Sequence, residues 1–191
     1  MRNHKQLLNA AFATCFMALT ACGVKSEQKT KALLIPEGFE IMDTDTITIV
    51  TDTYVVNALK HEAEDSLSNI NTEPVRPISI LKSVKGAEFE LIARNDSIIL
   101  CQQCGGLYGD PWDGIYTEED AFSVHHMGGS NNRWTRDLKF QYNSEKGGWF
   151  LISDRGVNFW THDPEGTLEY DLYTEGDSLG LIPFRSFKTS L

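Results

Sequence analysis

Between Trp134 and Tyr142 the chain alternates without a break: Trp134, Arg136, Leu138, Phe140 and Tyr142 are separated by Thr135, Asp137, Lys139 and Gln141. A period of two sends successive side chains to opposite faces, which is the geometry of a strand and not of a helix. One face is mostly apolar and the other polar, so this segment predicts a strand that is buried on one side and wet on the other. Its register is strongly specified, because a slip of one residue would put the apolar set in water. Arg136 falls on the apolar face, where an unpaired charge is costly. It therefore calls for an acidic partner, and Asp110 and Asp113 are the candidates.

Other segments follow the same pattern. Ile47 to Leu59 is rich in β-branched residues and fits one or two strands. Ile78 to Leu81 and Glu88 to Ala93 read as strands joined at Lys85-Gly86, and Ser97 to Leu100 as a third after a turn at Asn95-Asp96. Ala121 to His126 is a strand ended by Gly128-Gly129. Trp149 to Ile152, Val157 to Trp160 and Thr167 to Tyr173 follow, with Leu168, Tyr170 and Leu172 on one face of the last. Lys60 to Pro77 reads as a loop with a helical turn at Ala63 to Leu67. The expected fold is mainly β: a single antiparallel domain over residues 35–191, as a folded sheet or a sandwich.

What precedes that domain reads as an address. A basic start at Arg2 and Lys5 leads into an apolar stretch from Leu7 to Ala21, too short to span a bilayer. It ends in Leu19-Thr20-Ala21-Cys22-Gly23, which resembles the lipobox of bacterial lipoproteins. The resemblance implies a signal peptide over residues 1–21, cleavage before Cys22 and a lipid on the Cys22 thiol. Residues 22–34 then form a flexible tether. Processing removes two of the 17 basic residues and none of the 27 acidic ones, so the mature chain is more acidic than the formal −10 of the whole. That balance excludes a nucleic-acid binder driven by phosphate neutralisation. It also repels anionic head groups, so membrane contact is expected through the lipid on Cys22. With Gly23 next to Cys22, the expected location is the envelope, on the periplasmic face of the outer membrane in a Gram-negative host.

Three clusters carry residues capable of chemistry. Cys101-Gln-Gln-Cys104 admits a local disulfide, zinc bound together with a histidine, or redox exchange. Export to an oxidising compartment favours the disulfide, and the glycines that follow disfavour the helix N-terminus that redox pairs use. His125 and His126 are adjacent on a strand and point to opposite faces, so at most one could join the Cys pair, in a site of Cys101, Cys104 and His126. The plainer reading has His126, in phase with Phe122 and Val124, hydrogen-bonded at the core edge and His125 solvated. Gly109-Asp110-Pro111-Trp112-Asp113-Gly114 is either a turn whose Asp side chains bond their own backbone, part of a Ca²⁺ site, or an acid/base pair. Gly128 to Trp134 brings Asn131 and Arg133. Together with Tyr108, Asp110, Trp112, Asp113, His126 and Arg136 these make a candidate polar and aromatic binding surface.

The run Cys104-Gly-Gly-Leu-Tyr-Gly-Asp-Pro-Trp-Asp-Gly-Ile115, then Phe122-Ser-Val124, His126, Gly128-Gly-Ser-Asn131 and Arg133-Trp-Thr-Arg136, resembles a family of uncharacterised bacterial lipoproteins and secreted proteins. Their signature reads C-G-G-x-F-G-D-P-F-x-G-I, then H-Y-G-G-S-N-W-R-W-T-R, and they are distantly similar to FG-GAP/VCBS domains. The likeness extends to Ile35-Pro-Glu-Gly38, Arg76-Pro77, Ala93-Arg-Asn-Asp96, Asp163-Pro164 and Ile182-Pro-Phe184. Asp43-Thr-Asp45 keeps little of the Asp-rich loop of those relatives, and Met127 and Asn132 stand where they carry Tyr and Trp. The resemblance implies an envelope class and no activity. The function expected is a non-catalytic, lipid-anchored binding or scaffolding protein without a cofactor. The alternatives are a metal protein or enzyme built on Cys101, Cys104, His126, Asp110 and Asp113, and an immunity-type lipoprotein that blocks a toxin.

Overall fold

A computed structural model describes residues 34–67, 74–85, 88–174 and 180–189. The segment expected to be a signal peptide, Cys22 and the expected tether as far as residue 33 lie outside the described residues. The strands are β1 (Phe39–Ile49), β2 (Asp52–His61), β3 (Ile78–Lys85), β4 (Glu88–Asn95), β5 (Trp112–Glu118), β6 (Ala121–Gly129), β7 (Asn132–Asn143), β8 (Gly148–Trp160), β9 (Asp163–Thr174) and β10 (Ile182–Pro183). A single helical turn, α1 (Glu64–Leu67), stands in the expected loop. No described helix is long and apolar enough to cross a membrane.

The strands form two antiparallel sheets. One has the order β1-β2-β3-β4, and the other runs β10-β8-β7-β6-β5 with β9 also on β8. The outer edge of β8 is divided by length: β10 pairs Phe150 and Leu151, and β9 pairs Ser153 to Trp160. Both sheets contribute to one apolar core, including Tyr54, Val56, Ile78 and Ile80 from the first and Phe122, Leu138, Phe140, Trp149 and Leu151 from the second. Tyr54 meets Tyr142 and Trp149 across the gap, with ring centroids 5.5 and 5.7 Å apart. The domain is thus a sandwich, one of the two architectures expected.

The alternation of β7 is realised as read: Arg136, Leu138 and Phe140 are buried, and their neighbours are half-buried. Val157 to Trp160 is not a separate strand but the continuation of Trp149 to Ile152 in β8. A bulge links the two parts, since Phe140 pairs Leu151 while Lys139 pairs Ser153. The extra residue, Ile152, reverses the phase and turns Asp154 inward. Ser97 to Leu100 is not a strand. Its backbone groups are bonded elsewhere: Leu100 N–H to His126, Ser97 C=O to Thr189, Leu100 C=O to Arg76. Three of its side chains, Ile98, Ile99 and Leu100, are nevertheless buried. Leu168 and Leu172 of β9 are exposed and not core.

One edge of each sheet, β1 and β5, is joined to the other by side chains. Asp43 accepts from Ile115 N–H at 3.0 Å, and Asp45 accepts from the Thr117 hydroxyl at 2.8 Å. The residues set against an Asp-rich loop therefore cover two strand edges, which otherwise invite pairing with other chains. The C-terminal segment packs Phe184 and Phe187 into the core, where Asn95 donates to both of their carbonyls.

Candidate functional site

The segment between β4 and β5 carries most of the expected site residues. Its root is the Cys101–Cys104 disulfide, the first of the three chemistries left open for that pair. In a disulfide neither sulfur is a thiolate, the form that ligates zinc or attacks a substrate. Beyond it a 3-10 turn over Gly106–Tyr108 crosses the end of β6. Gly129 N–H donates to Gly105 C=O at 2.9 Å, and Met127 N–H donates to Pro111 C=O at 2.8 Å. The loop also folds back on itself so closely that a Cβ on Gly105 would stand 2.1 Å from the Gly109 carbonyl oxygen. A Cβ on Gly128 would stand 2.4 Å from the Trp134 ring. These two glycines are required by packing.

Asp110 does not pair with Arg136. It faces Arg76, whose guanidinium donates to both Asp110 oxygens at 2.7 and 2.6 Å and to both Glu64 oxygens at 2.6 and 2.9 Å. Burial works against the charge on Arg76, but the hydrogen bonds to Asp110 and Glu64 outweigh it and raise the pKa. Asp110 also accepts from Trp112 N–H at 3.0 Å, the backbone-bonded turn expected of an Asp before Pro. Arg136 pairs instead with Asp154, in two hydrogen bonds of 2.8 and 2.7 Å. Asp113 takes no part in either cluster. It is exposed at a bulge of β5, and its carbonyl accepts from the Tyr116 hydroxyl.

His126 lies between these pairs and is 1% exposed. Its Nε2 accepts from Leu100 N–H at 3.3 Å, its ring packs edge-on to Trp112, and its Nδ1 has no hydrogen-bond partner among the described residues. Burial first, and then the nearby Arg136 charge, push its pKa down to about 3, so the ring is neutral at ordinary pH. His125, on the other face, sits 3.3 Å from Asp137 and packs on Tyr116. Among the described residues no group of three or more His, Cys, Asp or Glu side chains is arranged to hold a metal ion.

The expected surface thus divides in two. Asp110, His126 and Arg136 face inward or into ion pairs, and Trp112 packs on His126. Tyr108, Asn131 and Asp113 face solvent, and the Arg133 guanidinium stacks over the Tyr108 ring at 4.6 Å from its centroid. Two participants escaped the sequence reading. Leu107, next to Tyr108, is 91% exposed at the crest of the turn. Arg76 had a usable signal, since it is in phase with Ile78 and Ile80 of β3 and so falls on the buried face. The chain matches no protein-family model, no curated protein and no solved structure.

Proposed function

We propose that the protein is a lipid-anchored envelope protein with a non-catalytic binding or scaffolding role, and that it binds its partner with the turn Gly106–Tyr108 and the adjoining Asn131 and Arg133. One observation carries this reading: Leu107 stands almost fully exposed on a turn held by a disulfide, two backbone hydrogen bonds and the Arg76–Asp110 pair. An apolar side chain on a mobile loop collapses against its own surface, whereas one on a fixed crest stays presented. Such a loop loses little conformational freedom when a partner covers it, which favours binding. The stacked Tyr108 and Arg133 beside it are residue types that anchor protein interfaces. The lipobox-like segment and the resemblance to envelope lipoproteins support the cell-envelope location and the anchor on Cys22.

Site-specific photo-crosslinking in intact envelopes tests this. A crosslinker at position 107 is expected to give a discrete adduct that disappears with Tyr108→Ser and Arg133→Ser together. The same group at the exposed Glu145, in the β7–β8 turn, is expected to give none. Adducts of equal yield at both positions, or none at 107, would overturn the reading. Cys22→Ser is expected to release the chain from membranes or leave it as unprocessed precursor. Tight binding of the unlipidated domain in high salt would count against the anchor.

A further inference from the structure

Away from the loop, a cleft of about 330 Å³ opens between the sheets, lined by β2, β3 and β4 on one side and by the β7–β8 turn and the β10 segment on the other. Its size is at the lower end of small-molecule sites. Tyr54, Tyr142 and Trp149 form an aromatic wall, their ring centroids all 5.5–5.7 Å apart. The indole N–H of Trp149, in that wall, is buried with no acceptor among the described residues. Lys82 and Arg185 are the charged residues of the lining, which contains no Asp or Glu, although the chain as a whole carries 27 acidic residues against 17 basic ones. Lys82 lies opposite Tyr54 in the ladder and holds its ammonium 5.6 Å from that ring. Asp52 pairs with Lys82 at 2.7 Å. Arg185 is exposed and donates to the Ile92 carbonyl, which uses one of the five N–H groups of a guanidinium. At the mouth, a Cβ added to Gly147 would meet nothing within 4 Å.

We propose that this cleft binds a small organic anion with a flat apolar body, the carboxylate lying between Lys82 and Arg185 and the body against Tyr54, Tyr142 and Trp149. Charge decides the class. Asp52 beside the cleft pairs with Lys82, but the lining itself holds no carboxylate. The Arg185 guanidinium, bonded to a neutral carbonyl, keeps the balance positive, which favours an anion over a neutral or cationic ligand of the same shape. The wall decides the body, since aromatic faces prefer planar apolar groups. Burial and the hydrogen bond to Tyr142 push the Tyr54 pKa up to about 12, so its hydroxyl is neutral and adds no competing negative charge.

The test is equilibrium dialysis of 2-naphthoate against the full-length protein in lipid nanodiscs, with empty nanodiscs subtracted. The neutral isostere 2-naphthamide serves as the charge control. Saturable binding of naphthoate is expected at one equivalent, with naphthamide weaker by roughly tenfold or more. Lys82→Gln, a change at a partly exposed side chain, is expected to weaken naphthoate and leave naphthamide unchanged. Gly148→Trp keeps both cations but fills the mouth, and its Cβ would meet only the Phe150 ring at 3.5 Å or more. It is expected to abolish binding of naphthoate. Absence of saturable naphthoate binding, equal affinity for the amide, or unchanged naphthoate affinity in Lys82→Gln would overturn the proposal.

Discussion

Phe122 and His126 lie on the same face of β6, and opposite them on β7 lie Phe140 and Arg136. Two adjacent strands thus carry an aromatic pair at one end of the sandwich and, at the other, a neutral histidine beside an arginine whose charge is matched by Asp154 of β8. At the aromatic end the rings of Phe122, Phe140 and Phe184 pack with centroids 5.3–6.0 Å apart. Nothing there depends on a single partner, because burial of apolar area is non-directional. At the charged end, stability depends on matching. Arg136 and Asp154 are 8% and 5% exposed at the side chain, and Arg76 and Glu64 are 1% and 3%, so each charge is tolerable only because its counterpart is present.

Replacing one member of a pair gives the largest effect. Arg136→Leu leaves Asp154 buried and unpaired, and is expected to lower the unfolding free energy in urea by about 3–5 kcal/mol. Adding Asp154→Leu to it should restore most of that loss. Phe140→Ala should also cost about 3–5 kcal/mol, but a second cut at Phe122 should deepen its loss. If the Arg136/Asp154 double variant is no more stable than Arg136→Leu alone, the two ends do not differ in kind.

The second effect is on pH. His126 has a folded pKa near 3, below the ordinary value of 6.5, so the unfolded chain binds the proton more readily between those values. Its contribution is complete above pH 6.5 and is lost as pH falls toward 3, by an amount of about 5 kcal/mol at most. Denaturant midpoints measured at steps across that window should fall with acid, and His126→Leu should flatten the part of the slope due to this residue. An unchanged slope in that variant would assign the acid sensitivity to the carboxylates.

A smaller loss is expected from Cys101→Ser with Cys104→Ser. The ring is short, so about 1–3 kcal/mol should be lost, with faster amide exchange at Gly105 to Gly109 and no change near Phe184. The smallest effect is that of Thr117→Val, which removes the hydroxyl donor to Asp45 at a half-buried seam. About 1 kcal/mol is expected from thermal unfolding.

The legibility of the two ends in the sequence follows the same division. Phe122, Leu138 and Phe140 could be placed from alternation alone, because an apolar residue needs only a phase. The need of Arg136 for a partner was equally legible, but the partner was not. Asp154 faces inward only because Ile152 adds a residue to β8, and a bulge erases the period that would reveal it. Asp110 was legible as a residue of a backbone-bonded turn and not as the counterpart of Arg76, which lies 34 positions away. Ser97 to Leu100 has the composition of a strand and the burial of one. It lacks only a ladder, since side chains and the C-terminal segment satisfy its backbone first. The disulfide was legible as one of three chemistries. The cleft was not, because Lys82, Tyr142 and Arg185 come together only when the sheets close.

The clasp of Asn95 on the carbonyls of Phe184 and Phe187 joins residues 89 and 92 positions apart, and its consequence lies in time. Bringing so distant a segment home must be done before its contacts give anything back, which slows folding. Until it arrives, Phe122 and Phe140 lack the ring that caps them. A newly made chain would therefore pass through a state with an open aromatic pocket, and that state is the one a chaperone would have to recognise and protect.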